Sequence, residues 1–235
     1  MRLRLLLAVL VLSSLCSAQR PKPKRSVGVA PPDPFTRVEL KNADITARRM
    51  NIPPAESVPV GAGVHDYLLI SLGNSELAIT GYQTNFEMKM ADGEMQVLQG
   101  GWPHKIQNTA AKPAELLAIE VAGGVSPKEA LCGLSAANCH DVRTGSSAEG
   151  EYQQTLLFDT ELARLFRVHL GSHVAMHQHA DNRKHVVIAL SPLSGHVDQQ
   201  AFKLNPGEVF FHADGFEDLV NDGDSGAHFL ILEVK

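Results

Sequence analysis

The chain has 235 residues, 26 acidic against 21 basic side chains, and a formal net charge of −5. That length allows one large domain or two small ones. A mildly acidic chain argues against a nucleic-acid partner, which needs a basic face, and no run after the N-terminus approaches the roughly 20 apolar residues of a membrane-spanning helix.

The first residues read as a targeting segment. Arg2 and Arg4 precede an apolar run at residues 5–12, and residues 13–18 turn small and polar, ending Cys16-Ser17-Ala18. That order of charge, apolar core and small-residue exit is expected of a signal peptide cleaved after Ala18, residues 1–18 in all. Leu15 stands where a lipoprotein signal has a small residue, so no membrane anchor is expected at Cys16. The protein is expected to be secreted or periplasmic, with a mature net charge of −7 once Arg2 and Arg4 leave. Residues 19–34 place Pro21, Pro23, Pro31, Pro32 and Pro34 among Lys and Arg, which predicts an extended, disordered leader.

From Phe35 onward the pattern is one of short strands. Residues 67–72 are apolar and stop at Gly73-Asn74; residues 76–80 alternate and stop at Gly81; residues 85–90 alternate and stop at Asp92-Gly93. Residues 122–153 are polar and small. Strands resume at 165–170, 185–190, 200–204, 209–212 and 228–234, with Gly171, Pro192, Gly195, Asn205-Pro206-Gly207, Gly215 and Gly223 between them. Such spacing predicts an antiparallel sandwich or barrel. Helical turns are expected only at 127–132 and 159–165. Cys132 and Cys139, seven apart in the polar stretch, are expected to form a disulfide in an oxidising compartment; free thiols are the alternative. A zinc site with His140 is disfavoured, because the close Cys pairs of such sites stand roughly two to four residues apart.

The sequence also repeats itself. Asn108 precedes Glu120 by twelve residues, and Asn221 precedes Glu233 by twelve; Gly93-Glu94 matches Gly207-Glu208; His65 leads one apolar strand as His185 leads another. Two tandem β-modules are expected, the first at 35–121 and the second at 154–235, joined by a linker at 122–153.

Chemistry concentrates in the second module. On a strand, His177 and His179 share a face. His185 opens the next strand and Glu217 comes from a later one. Three imidazoles and a carboxylate suit a divalent transition metal.

Gly171, His177 and His179 follow the spacing Gly, five residues, His-x-His. The segment Gly101-Trp102-Pro103-His104-Lys105-Ile106-Gln107-Asn108 follows the end of a second pattern, Gly-x-x-His-x-x-x-Asn; Gly215, Glu217 and Asn221 follow it with one residue fewer and Glu for His. In these motifs the chain resembles the cupin superfamily, as a two-module bicupin over roughly residues 40–235. The resemblance implies an all-β fold of two tandem double-stranded β-helix (jelly-roll) barrels. It also implies exchanged ligand types, with His185 in the place of the first motif's Glu and Glu217 in the place of the second motif's His.

On this reading His177, His179, His185 and Glu217 hold one divalent transition metal in the second barrel, iron or manganese ahead of nickel, copper or zinc. The expected activity is that of a small-molecule metalloenzyme, dioxygenase-like or isomerase-like, with Glu217 as general base if it is not a ligand. The alternative is a non-catalytic cupin that binds a sugar or organic acid. Aligning His65 on His185 puts Ser57 and Pro59 where His177 and His179 stand, so the first module is expected to be metal-free. Its pocket would offer His65 and His104, and His212 would line the second module's mouth. If the strand runs straight, His169 and His173 share the face of His177 and would support the ligands; a turn at Gly171 would break that phase. His196 and His228 read as surface or packing residues, and Trp102 as a packing residue. The expected partners are a small organic molecule and, by resemblance, a second copy of the chain.

Overall fold

The computed structural model describes residues 33–60, 65–81, 84–98, 100–122, 143–146, 151–160, 162–177 and 183–235. The signal peptide, residues 19–32 of the leader, the 127–132 helical turn, Cys132, Cys139, His140 and His179 lie outside these residues.

Nineteen strands form among the described residues. The first module contains β1 (Thr36–Lys41), β2 (Ile45–Ile52), β3 (Ser57–Val60), β4 (Tyr67–Ser71), β5 (Ser75–Gly81), β6 (Thr84–Met90), β7 (Met95–Leu98), β8 (His104–Asn108) and β9 (Ala114–Val121). The second contains β10 (Arg143–Ser146), β11 (Tyr152–Asp159), β12 (Ala163–Leu170), β13 (Ala175–His177), β14 (Lys184–Ala189), β15 (Leu193–Val197), β16 (Gln200–Leu204), β17 (Val209–His212), β18 (Asp218–Asn221) and β19 (Ala227–Val234). The sheet orders are β1-β2-β9-β4-β7 and β3-β8-β5-β6 in the first module, and β10-β11-β12-β19-β14-β17 and β13-β18-β15-β16 in the second. Adding ten to each strand of the first module reproduces the second, with β10 as an extra edge strand.

The repeat extends to individual bonds. Asn108 is buried and its Nδ2 donates to the carbonyls of Ile52 (2.8 Å) and Lys112 (2.7 Å), while its Oδ1 accepts from Ala110 N–H. Asn221 does the same in the second module, donating to Leu170 (3.3 Å), Gly171 (2.8 Å) and Ser225 (2.9 Å) and accepting from Gly223 N–H. Each amide ties a strand end to two loops whose buried carbonyls would otherwise lack partners. Gly93 and Gly207 occupy equivalent turns with φ of +69° and +82°, a region that glycine enters without strain.

Three apolar cores follow from strand alternation. Leu69 on β4, with Leu116 and Ala118 on β9, points into the first barrel. Val187 and Ala189 on β14, with Phe229 and Ile231 on β19, point into the second. The intervening residues Leu68, Ile70, Leu117 and Ile119 meet Val186, Ile188, Leu230 and Leu232 in a seam shared by both modules. The central strands are thus buried on both faces, which is why they read as unbroken apolar runs.

Each module also clasps the other. Arg167 on β12 donates to Gly93 O (2.8 Å), and Arg49 on β2 donates to Pro206 O (2.8 Å). A Cβ at Gly93 would lie 2.7 Å from Leu190 Cδ1, and one at Gly207 2.5 Å from Leu72 Cδ1.

Two expectations are corrected. The segment expected as a helical turn is mostly strand: Asp159 ends β11 and Ala163 begins β12, Thr160 Oγ1 accepts from Leu162 and Ala163 N–H, and β12 pairs along its whole length with β19. Pairing buries Leu165 in the seam and Phe166 in the barrel at once, which an isolated helical turn could not do. The alignment of His65 with His185 is two residues off. Tyr67 pairs with Glu120 and Leu98 as His185 pairs with Glu233 and His212. By the same ladders Pro59, not Ser57, is the counterpart of His177.

Candidate ligand site in the second barrel

β13 has its phase fixed by Met176. Met176 pairs with Leu219 on β18, and both are buried in the second barrel's core with Phe216. His177, the next residue, therefore faces outward; its side chain is 79% exposed and its Nδ1 pairs with Asp218 Oδ1. Turning His177 inward would expel Met176, whose burial is worth about 1.5–3 kcal/mol. Glu217 is exposed too, and its backbone N–H donates to Asp198 Oδ1 (3.2 Å).

His185 behaves differently. It lies on β14 in phase with Val187 and Ala189, 1% exposed, and neither ring nitrogen has a hydrogen-bond partner. Glu233, its cross-strand neighbour on β19, is 5% exposed. His185 Nε2 stands 3.9 Å from Glu233 Oε1; Arg183 Nη1 donates to Glu233 Oε2 at 2.8 Å, with Arg164 Nη1 at 3.9 Å. Burial pushes the Glu233 carboxyl up, but His185 and Arg183 more than offset it and hold it below the ordinary carboxylate range. Phe216 packs on the His185 ring at 4.6 Å. His212, opposite His185 on β17, is half-buried, meets Phe216 edge-on at 6.2 Å and bonds the Asp214 carbonyl through Nδ1 (2.7 Å).

The structure thus brings His185 and His212 together and leaves His177 and Glu217 at the surface. No group of three or more His, Cys, Asp or Glu able to hold a metal occurs among the described residues. Of the four expected ligands, His177, His185 and Glu217 do not converge in such a group, and His179 lies outside the described residues. Glu233, Arg183 and Phe216 were missed as site residues. The available signal was Glu233 itself, a charge inside the apolar run 229–234.

The remaining histidines divide simply. His169 faces away from the barrel, beyond the turn at Gly171, and stacks on His228 at 4.4 Å. Burial, and then the His169 ring beside it, pushes His228 down. His173 has φ +58° and lies 3.7 Å from Asp224. His196 pairs with Asp222 (2.7 Å). In the first barrel His104 is 6% exposed and inward, while His65 is part-buried at the loop before β4. Trp102 is 46% exposed rather than packed away.

By sequence, no known family and no curated protein matches the chain. Solved structures do match its fold. A cupin 2 conserved barrel domain protein from Leptotrichia buccalis superposes with a TM-score of 0.55 at 14% identity, covering 85% of this chain and 88% of that one. Salicylate 1,2-dioxygenase from Pseudaminobacter salicylatoxidans gives 0.63 at 9% identity, covering 88% and 78%. An oxalate decarboxylase gives 0.56 at 13% identity, covering 82% and 69%. The fold is that of a two-module cupin. Within this fold the two barrels differ at matching places: Tyr67 and His104 in the first stand where His185 and Glu217 stand in the second.

Proposed function

We propose that the second barrel binds a small polar organic molecule, a sugar or an organic acid, at its His185 end, and that the protein is an exported ligand-binding bicupin. The observation that carries this reading is the buried His185 ring, whose nitrogens make no close hydrogen bond and whose Nε2 faces the Glu233 carboxylate only at 3.9 Å. A buried polar group left unmet costs about 1–3 kcal/mol, and native interiors rarely tolerate one. A hydroxyl or carboxyl group of a ligand would satisfy the imidazole. Arg183 and Glu233 would fix its orientation, and Phe216 would exclude water. Fold neighbours include a dioxygenase and a decarboxylase, but fold alone does not carry their chemistry to this chain.

The test uses the full chain without its leader. Metal content is measured alongside thermal shifts on a panel of sugars and organic acids, for wild type and His185→Leu. The expected result is no stoichiometric metal and a ligand-dependent shift that His185→Leu abolishes. About one metal ion per chain, lost in His177→Ala/His179→Ala, would sink this reading and restore the metalloenzyme. Export is checked by sequencing the N-terminus of the secreted or periplasmic protein, which should begin at Gln19.

A further inference from the structure

An edge strand presents unpaired N–H and C=O groups to any strand that fits them, and folded proteins protect most of their edges. Eight strands end the four sheets: β1 and β7, β3 and β6, β10 and β17, β13 and β16. All but β6 carry a safeguard among the described residues. β1 and β10 break register along their partners. β3 contains Pro59, which has no N–H to give. β7, β13 and β17 run only three or four residues. β16 carries Lys203 and no acid, so it repels its own copy. β6 differs: its seven residues contain no proline and pair with β5 without a shift, and Phe86 stands on it 39% exposed.

We propose that β6 is the docking edge for a second copy of this chain, the two β6 strands pairing antiparallel about a two-fold axis at Met88. The choice of partner comes from the order of charges. Glu87 and Lys89 are exposed and flank Met88. In that register Glu87 faces the partner's Lys89, and Lys89 faces the partner's Glu87. A self-complementary contact thus makes two opposite-charge pairs from one sequence. Glu76 already holds Lys89 Nζ at 2.8 Å, so each lysine would lie between two carboxylates. On the other face Met88 meets the partner's Met88, and Phe86 meets the partner's Met90. Phe86 would leave water along a row that ends in the barrel core, where Met88 packs and Met90 is buried. Moving the axis one residue, to Glu87, would set two carboxylates against each other. The matching edge of the second barrel lacks the pattern: by the shared ladders β16 has Gln200 in the place of Phe86 and Ala201 in the place of Glu87. Seven residues a side fall below the roughly 20–30 of a stable interface, so the dimer is weak, with a Kd of about 10–100 µM.

Sedimentation velocity on the chain from Gln19 onward, between about 1 and 500 µM, spans that Kd and reads the association directly. The wild type should pass from monomer to dimer and go no further, since a two-fold contact closes on itself. Glu87→Lys and Lys89→Glu should each weaken the dimer about tenfold or more, because each turns both opposite-charge pairs into like-charge pairs. An equimolar mixture of the two variants should dimerise as wild type does, since every cross-strand pair then joins unlike charges. That recovery cannot come from misfolded chains, so it separates pairing from damage to the fold. Phe86→Ser should weaken the dimer about threefold or more, and Lys203→Glu on β16 should leave it unchanged. A wild type that stays monomeric at the highest concentration overturns the proposal, whether β6 then stays bare or takes a foreign strand. So does a dimer that either charge variant keeps at wild-type strength, or one that mixing the variants fails to restore.

Discussion

His185 and Glu233 are neighbours across one strand pair, yet their replacement should have unequal consequences. Without ligand, His185→Leu should change stability by no more than about 1 kcal/mol, since removing a buried imidazole with no close hydrogen bond offsets the loss of its attraction to Glu233; chemical denaturation measures this. Glu233→Ala should cost about 2 kcal/mol, because Arg183 and Arg164 would lose their shared carboxylate at a partly buried site. Glu233 also sets a pH dependence. Its folded-state pKa lies below the ordinary 4.5, so its contribution is present above that value and lost as pH falls through the lowered one. Stability of the wild type should fall between about pH 5 and pH 3, and Glu233→Gln should flatten that fall. Asp159 adds to the same acid limb: burial raises it, but Lys235 and Arg164 outweigh burial and hold it low. At this scale the sequence was only half legible. Strand alternation places His177 and His179 on one face but does not say which face is the interior. Met176 and Leu219, as a pair across two strands, decide that, and such a pairing cannot be seen in a single segment.

The strands and their repeat were far more legible, since alternation and turn residues are local signals. Asn108 and Asn221 stood out by spacing alone, and the structure gives the reason: each amide holds two loops to a strand end. Asn108→Ala and Asn221→Ala should therefore destabilise by similar amounts, about 2–3 kcal/mol each, as several buried carbonyls lose their donor. Gly93 and Gly207 should be equally intolerant. Alanine at either would adopt a left-handed backbone and drive its Cβ into Leu190 or Leu72 of the other module, a cost of about 1–3 kcal/mol. Midpoints of denaturant unfolding for the four variants test whether the repeat is energetic as well as geometric. The 159–165 segment shows the limit of local signals. Its turn was visible, but only the pairing of β12 with β19 makes the flanking residues strand.

The whole molecule is held by a seam that no motif announces. Alternate residues of β4, β9, β14 and β19 leave their own barrels to build it, so each barrel supplies one wall of a core it does not enclose. Leu68→Ala should lower stability by about 2–5 kcal/mol, although Leu68 lines neither barrel. A fragment ending at Val121 would expose Leu68, Ile70, Leu117 and Ile119, and should self-associate or aggregate when measured by sedimentation. The intact chain should melt in one transition.

That shared seam also means neither barrel reports only on itself. A molecule held in one raises the free energy needed to open the pair, so a probe of the other barrel's unfolding should register it. A fluorophore or a protected amide in the first barrel would then sense occupancy of the second through the seam between them.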